Sequence, residues 1–144
     1  VKNYINEEIT FGIDKIDVFK KFKNQIEESK VNVLNNIKNI KKVSGKIAAY
    51  AAPAKASTKL NYYGINSDII EFIVEDNPLK HNKIIPGVNI PIYNVDYLIE
   101  KDIKVVIVLA WNFFDYIVDK NKSLIEKGIR FISIKELEDQ NFNF

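Results

Sequence analysis

Three short segments, each directly after an apolar run, carry the side chains best suited to binding a ligand. The first, residues 50–58, passes from a predicted strand into a predicted helix through small residues, so that backbone N–H groups can approach an anion. Lys55, Ser57 and Thr58 would add side-chain donors. The segment contains no glycine, whereas a dinucleotide fingerprint has three and a phosphate-binding P-loop has two. It therefore predicts either an anion site or a strand-to-helix turn whose small residues serve packing alone.

The second and third segments add acids and an aromatic ring. Glu75 and Asp76 end the second predicted strand, where a Rossmann fold keeps the acid that binds a ribose hydroxyl, although acids at strand ends are also common solvated residues. Trp111 is the only tryptophan. Its ring could stack on a nucleobase or sugar while the amide of Asn112 selects hydrogen-bond partners. The structural alternative is that Trp111 packs against the start of a helix and Asn112 caps it.

Composition excludes several other kinds of chemistry. The chain has 144 residues and no cysteine, which excludes disulfides, thiolate catalysis and cysteine-bound zinc. Its single histidine, His81, is predicted to be an exposed loop residue. HExxH, paired-carboxylate and nucleophile-elbow motifs are absent, so no catalytic or metal site is predicted. The formal charge of +2, with both signs interspersed, favours neither nucleic acid nor an anionic membrane as a partner.

The cellular location is predicted from two features that the sequence does not contain. No run approaches the length that crosses a bilayer, and the N-terminus does not resemble a signal peptide. We therefore expect a cytoplasmic protein. Methionine is absent even at position 1, so we also expect the chain to be a piece of a longer protein or to have lost residues in front.

A long amphipathic helix must precede the elements that hold these segments. Between residues 14 and 44 the apolar residues recur mostly at steps of three and four, which predicts one helix with Asp14 as N-cap and Gly45 as C-cap. Residues 1–13 would form a lead-in to this helix.

Strands and helices then alternate, which is the pattern of an α/β fold. The predicted strands are 46–51, 69–74, 90–93, 103–110 and 130–134, and the predicted helices are 54–63, 95–101 and 113–127. The run 103–110 is the most apolar and should be the central strand. We predict a Rossmann-like, three-layer domain over residues 45–135 with a parallel sheet of about five strands, followed by a loosely held tail, 136–144. Because ligands bind at the carboxyl ends of such strands, the three segments should lie at one edge.

The segments also resemble a known family, the C-terminal domain of bacterial sugar C-methyltransferases. The matching residues are 47–58 with 60–62, then 76–80 with 86–87 and 90–92, then 109–113. The resemblance extends from about Lys46 to Ile132. At Ala51 and Ala56 the family typically has glycine.

The resemblance implies a division of labour among three domains. An N-terminal zinc-binding module and a central domain that binds S-adenosylmethionine would carry the donor and the catalytic base, while this domain would close over a sugar nucleotide. The family includes C-3 methyltransferases of deoxysugar pathways. This chain would hold no cofactor and would be inactive alone. The residues expected to line the substrate cleft are Pro53, Lys55, Thr58, Asn61, Glu75, Trp111 and Asn112.

Two other functions remain open on the sequence. One is a structural or interaction domain without a ligand, whose long helix organises the parent chain or a homodimer. The other is an independent nucleotide-binding module, against which the glycine-free turn argues.

Overall fold

The computed structural model describes the backbone of residues 2–144 and the side chains of residues 3–144. Six α-helices and five strands occur in this part of the chain. In order they are α1 (Lys2–Phe11), α2 (Ile16–Ser44), β1 (Ile47–Tyr50), α3 (Ala54–Tyr63), β2 (Ile73–Val74), β3 (Ile92–Tyr93), α4 (Tyr97–Glu100), β4 (Val105–Val108), α5 (Phe114–Lys120), α6 (Lys122–Glu126) and β5 (Arg130–Ser133). Short 3₁₀ turns cover 78–80, 111–113 and 136–138.

The strands form one parallel sheet in the order β3-β2-β1-β4-β5, which confirms the predicted Rossmann-like fold. The prediction that the run 103–110 is the central strand is wrong, because β1 occupies the centre and β4 lies beside it. Both strands are buried along their whole length. A run of apolar residues indicates that a strand is buried on both faces. It does not show which of two equally buried strands lies at the centre of the sheet.

Alternate residues of each strand point into two separate layers of core. On β1, Ile47 and Ala49 pack with α2 and α3, whereas Ala48 and Tyr50 pack with α4, α5 and α6. The two layers place helices on both faces of the sheet, as the three-layer prediction requires.

Helix α2 uses only its second half in the core. Val33 and Ile40 are fully buried, whereas Phe19 and Phe22 are 52% and 59% exposed. The helix ends at Gly45, as predicted, with the Gly45 N–H donating to Lys41 O. Its N-cap is Lys15 rather than Asp14, and no side chain caps that end. Within residues 2–144, no helix is both long and apolar enough to cross a membrane.

Two other elements differ from the prediction. The helix expected over 113–127 is broken at Asn121, whose buried side chain donates to Ile117 O at 2.8 Å and so competes with the helical backbone bonds. The tail is held firmly, because Leu137 is fully buried and Asn36 donates to the carbonyls of Leu137 and Asp139 at 3.0 Å. A buried asparagine on α2 thus binds the backbone of the last turn.

The turn after β1 adopts an unusual backbone conformation. Ala51 has φ of +71°, a left-handed value that costs alanine about 1–2 kcal/mol and glycine almost nothing. The Ala51 N–H donates to Val74 O at 2.8 Å, so pairing with β2 holds the residue in this conformation. The turn therefore keeps a glycine-like shape without a glycine.

Candidate functional site

Three strands deliver the predicted segments to one edge of the sheet. β1 and β4 run parallel in direct register, and β2 pairs with the other side of β1. Their carboxyl ends therefore lie side by side, and the residues that follow them meet where the chain leaves for opposite faces. This edge is the candidate site.

Lys55 and Trp111 are in direct contact at this edge. The Lys55 Nζ lies 3.7 Å from the centroid of the Trp111 ring, and the Lys59 Nζ lies 5.0 Å from it. Lys55 and Lys59 are one turn apart on α3 and so face the same way. Both contacts fall within the range of cation–π attraction. The result is a half-buried indole ring with two ammonium groups beside it.

The sequence interpretation missed Lys59. This lysine also forms an ion pair with Glu138, and its ammonium lies 5.4 Å from the ring of Tyr63. The four-residue step from Lys55 was the available signal. Its partner Glu138 belongs to the tail and could not be identified without the fold.

Glu75 joins the β1–α3 turn to the loop after β2. Its Oε2 accepts from the Ala52 N–H and from Lys80 Nζ, both at 2.9 Å, and its Oε1 accepts from the Asn77 N–H at 3.2 Å. Burial opposes ionisation, but these bonds and the charge of Lys80 outweigh it and hold the pKa of Glu75 below its usual value. The carboxylate is therefore ionised and already engaged with three internal donors.

The neighbouring acid, Asp76, serves the other face of the sheet. Its Oδ1 accepts from the Tyr50 hydroxyl at 2.8 Å and pairs with Lys120 Nζ at 2.7 Å. Burial raises the pKa of Tyr50 far above its usual range. Asn121 opposes this with the next largest effect, and the carboxylates of Asp76 and Glu75 raise the pKa further. Tyr50 thus stays protonated and acts as a donor that anchors the end of β1.

Pro53 and Thr58 line a pocket between α3 and the loop before β3. The pocket has a volume of about 420 Å³, and Lys80, Lys83 and Pro86 also line it. Trp111 lies outside the lining of this pocket. The predicted residues therefore form two adjoining surfaces, one around Lys55 and Trp111 and one around Pro53 and Thr58.

The two predicted asparagines have different surroundings. Asn61 donates to Ser57 O at 2.8 Å and to Pro86 O at 2.9 Å, so it ties the loop to α3. Asn112 is exposed. The N-cap of α5 is Phe113, and no side-chain cap bond forms there, so Asn112 does not cap that helix.

His81 differs from the expected exposed residue. It is half-buried, and its Nε2 lies 2.7 Å from Glu75 O. The adjacent Lys80 binds the Glu75 carboxylate. Lys80 and His81 together therefore hold the side chain and the backbone of Glu75, the residue that follows β2. This role was not apparent from the sequence because no acid lies next to His81 in it.

The sheet order and the edge described above define a Rossmann-like domain. Residues 1–134 match the model of the C-methyltransferase C-terminal domain, and the chain belongs to that family. It is also similar to C-methyltransferase NovU from Streptomyces niveus, with 29% identity over 132 residues. That alignment covers 92% of this chain and 31% of the relative, so the chain spans less than a third of the relative's length.

Proposed function

We propose that this domain forms the substrate side of an S-adenosylmethionine-dependent methyltransferase that methylates a carbon of a keto sugar nucleotide. Membership of the family supports the methyltransferase part of the proposal. The contact of Lys55 with Trp111, 3.7 Å from ammonium to ring centroid, is the observation that carries the substrate part.

The arrangement at this edge suits a ligand that is both anionic and cyclic. A diphosphate would replace the ring as the partner of Lys55, because an ammonium–phosphate hydrogen bond is stronger than an exposed cation–π contact. Lys59, which is paired with Glu138, would add its positive charge nearby. The freed face of Trp111 could then stack on a ring of the ligand. Asn112, exposed beside it, would offer an amide donor and acceptor.

Two features support a donor site outside this domain. The β1–α3 turn has no glycine, and its Ala52 N–H is already bound to Glu75, the acid that would otherwise receive a ribose hydroxyl. The residues present thus do not fit S-adenosylmethionine. The zinc-binding cysteines expected of the family's first module are also absent from this chain.

The reaction itself needs groups that the described residues do not assemble. Methylation of a carbon next to a keto group requires a base that removes the proton from that carbon and a group that stabilises the oxyanion of the resulting enolate. At the site edge Glu75 is engaged internally and Tyr50 is a buried donor. We therefore assign base and donor to other domains of a parent chain and expect the isolated domain to be inactive.

Replacing Lys55 or Trp111 with alanine in the parent enzyme is expected to weaken the binding of dTDP-glucose and UDP-glucose about tenfold each. Isothermal titration measures this. Lys46→Ala is the matched control, because Lys46 is exposed at the opposite end of β1. Unchanged affinity and rate in Lys55→Ala, Trp111→Ala and Asn112→Ala would overturn the substrate assignment.

A second role, in assembly, is favoured by the apolar surface of α1 and the first half of α2. The large apolar side chains exposed there are Tyr4, Ile5, Ile9, Phe11, Ile13, Ile16, Phe19 and Phe22. Large exposed apolar surfaces mark sites of contact with other proteins or domains. We assign it to contact with the zinc- and donor-binding domains of the parent chain, since the relative has more than two-thirds of its length outside the matched part.

Hydrogen exchange tests this assembly role. We expect the amides of residues 16–26 to exchange about tenfold more slowly in the parent protein than in the 144-residue chain, whatever the protein concentration. Protection that grows with the concentration of the 144-residue chain would indicate a homodimer instead. Equal exchange in both proteins at all concentrations would contradict both forms of assembly.

A further inference from the structure

A separate pocket opens at the carboxyl ends of β4 and β5, on the far side of Trp111 from the turn after β1. Its volume is about 580 Å³. Three aromatic rings and three carboxylates share its lining. They are Trp111, Phe114, Phe142, Asp115, Glu136 and Asp139.

The three rings are held by different parts of the fold. Trp111 and Phe142 pack against the core layer under α2 and α3, whereas Phe114 packs against the layer under α4 to α6. All three are half-buried, so part of each stays open to the pocket. Fixed aromatic surfaces of this kind match the C–H faces of a sugar ring.

Two of the three carboxylates are oriented by hydrogen bonds and can still accept more. Glu136 Oε1 accepts from the Ser133 N–H and Asp139 Oδ1 from the Asn141 N–H, both at 2.8 Å, so each keeps a second oxygen free of those bonds. Asp115 is exposed and makes no side-chain hydrogen bond to another residue of the stretch 3–144. The pocket thus presents several oriented acceptors.

Ser133 adds a buried donor. The residue is only 6% exposed, and its Oγ accepts from the Lys135 N–H at 3.3 Å. Among the side chains that the structure describes, none receives the hydroxyl proton of Ser133. A hydroxyl that lines a pocket can donate its proton to a ligand that accepts a hydrogen bond.

We propose that this pocket binds a polyhydroxylated ring of the substrate, stacked on the aromatic side chains and bonded through its hydroxyls to the carboxylates and Ser133. Hydroxyls both donate and accept, which matches a lining of acceptors with one free donor. Three acids against one lysine, Lys135, make the pocket negative and exclude the phosphates. Those would remain at Lys55 and Lys59 on the other side of Trp111. The proposal rests on the proposed function and divides its ligand between two subsites.

Fluorescence of Trp111 gives a direct readout, because it is the only tryptophan. UDP and UDP-glucose are the probes, used with the 144-residue chain and with Asp115→Ala. We expect UDP-glucose to bind about tenfold more tightly than UDP, and Asp115→Ala to remove most of that difference while leaving UDP binding unchanged. Asp119→Ala, one turn further along α5, is the control. Its exposed side chain pairs with Lys122 and lies outside the pocket lining.

The outcomes separate this inference from the proposed function. If UDP and UDP-glucose bind equally, or if Asp115→Ala weakens both alike, the second subsite is overturned while the nucleotide role stands. Equal weakening of both nucleotides by Asp115→Ala is the result expected if the ribose occupied the pocket, and it would overturn the assignment to the hexose. If neither nucleotide binds, the proposed function fails. The pocket is then tested with free glucose, whose proton NMR resonances would broaden on binding. Broadening that Asp115→Ala abolishes would support the pocket, and none in the wild type would overturn it.

Discussion

Replacing Gly87 with alanine is expected to lower the free energy of unfolding by about 3 kcal/mol. Gly87 has φ of +84°, which costs a residue with a Cβ about 1–2 kcal/mol. An added Cβ would also lie 2.0 Å from Asn61 Oδ1. Asn61 would have to swing away and lose its bonds to Ser57 O and Pro86 O, at about 1 kcal/mol each. Urea denaturation measures the sum.

Gly64 provides the matched control for this substitution. Its φ is +71°, but nothing lies within 4 Å of the position that a Cβ would take. Gly64→Ala should therefore cost only the conformational part, about 1–2 kcal/mol. The converse change, Ala51→Gly, should raise the free energy of unfolding by about 0.5–1 kcal/mol, since Ala51 already has positive φ. Equal losses in Gly87→Ala and Gly64→Ala would show that Asn61 does not constrain the loop.

Replacing Glu75 with glutamine is expected to cost about 2 kcal/mol at pH 7 and to change how stability depends on pH. The carboxylate accepts from Ala52, Asn77 and Lys80, and bonds to a charged group contribute about 1.5–3 kcal/mol. An amide keeps one acceptor oxygen but cannot pair with the Lys80 ammonium as an ion. The free energy of unfolding from chemical denaturation checks the loss.

The pH dependence follows from the lowered pKa of Glu75. A group with a pKa lower in the folded than in the unfolded protein stabilises the fold above its unfolded pKa, about 4.3 for glutamate. That contribution disappears as the pH falls through the folded pKa. The difference in the free energy of unfolding between the wild type and Glu75→Gln should therefore become smaller below about pH 4. Glu71→Gln, four residues earlier and half-buried, is the control: it removes a carboxylate that accepts none of these bonds and should not reproduce the loss of about 2 kcal/mol at pH 7. A constant gap from pH 7 to 3 would contradict the role of the ionised carboxylate.

Periodicity and glycine positions predicted most of the elements because both are local properties. Helix α3 begins at Ala54 and ends at Tyr63, as predicted, because Gly64 takes the left-handed conformation that ends a helix. Helix α2 also ends before a glycine with positive φ, Gly45, although its ψ of −108° lies outside the left-handed helical region. Strand lengths were overestimated, for example 69–74 against Ile73–Val74, because an apolar run continues past the residues that pair with a neighbouring strand.

The candidate site was predicted less completely, because its contacts join distant parts of the chain. That Lys55 and Trp111 lie at the same edge follows from parallel strands and could be inferred. The pair Lys59 with Glu138 joins residues 79 positions apart, and the tail that supplies Glu138 shows no periodicity of its own. The substrate role of all seven residues stays a prediction: Pro53, Lys55, Thr58, Asn61, Glu75, Trp111 and Asn112.

Helix α2, with 29 residues, is a rod of about 44 Å that is fixed to the sheet only near its C-terminal end. Hydrogen bonds that join Glu27 and Ser29 to the tyrosines of α3 extend this attachment, so only the part before Ile26 projects, as a lever arm of roughly 15 Å. A tilt of about 10° at the anchored end would move the tip by about 3 Å. Motion of whatever contacts Phe19 and Phe22 would therefore be transmitted to the layer of core that also supports α3 and Lys55.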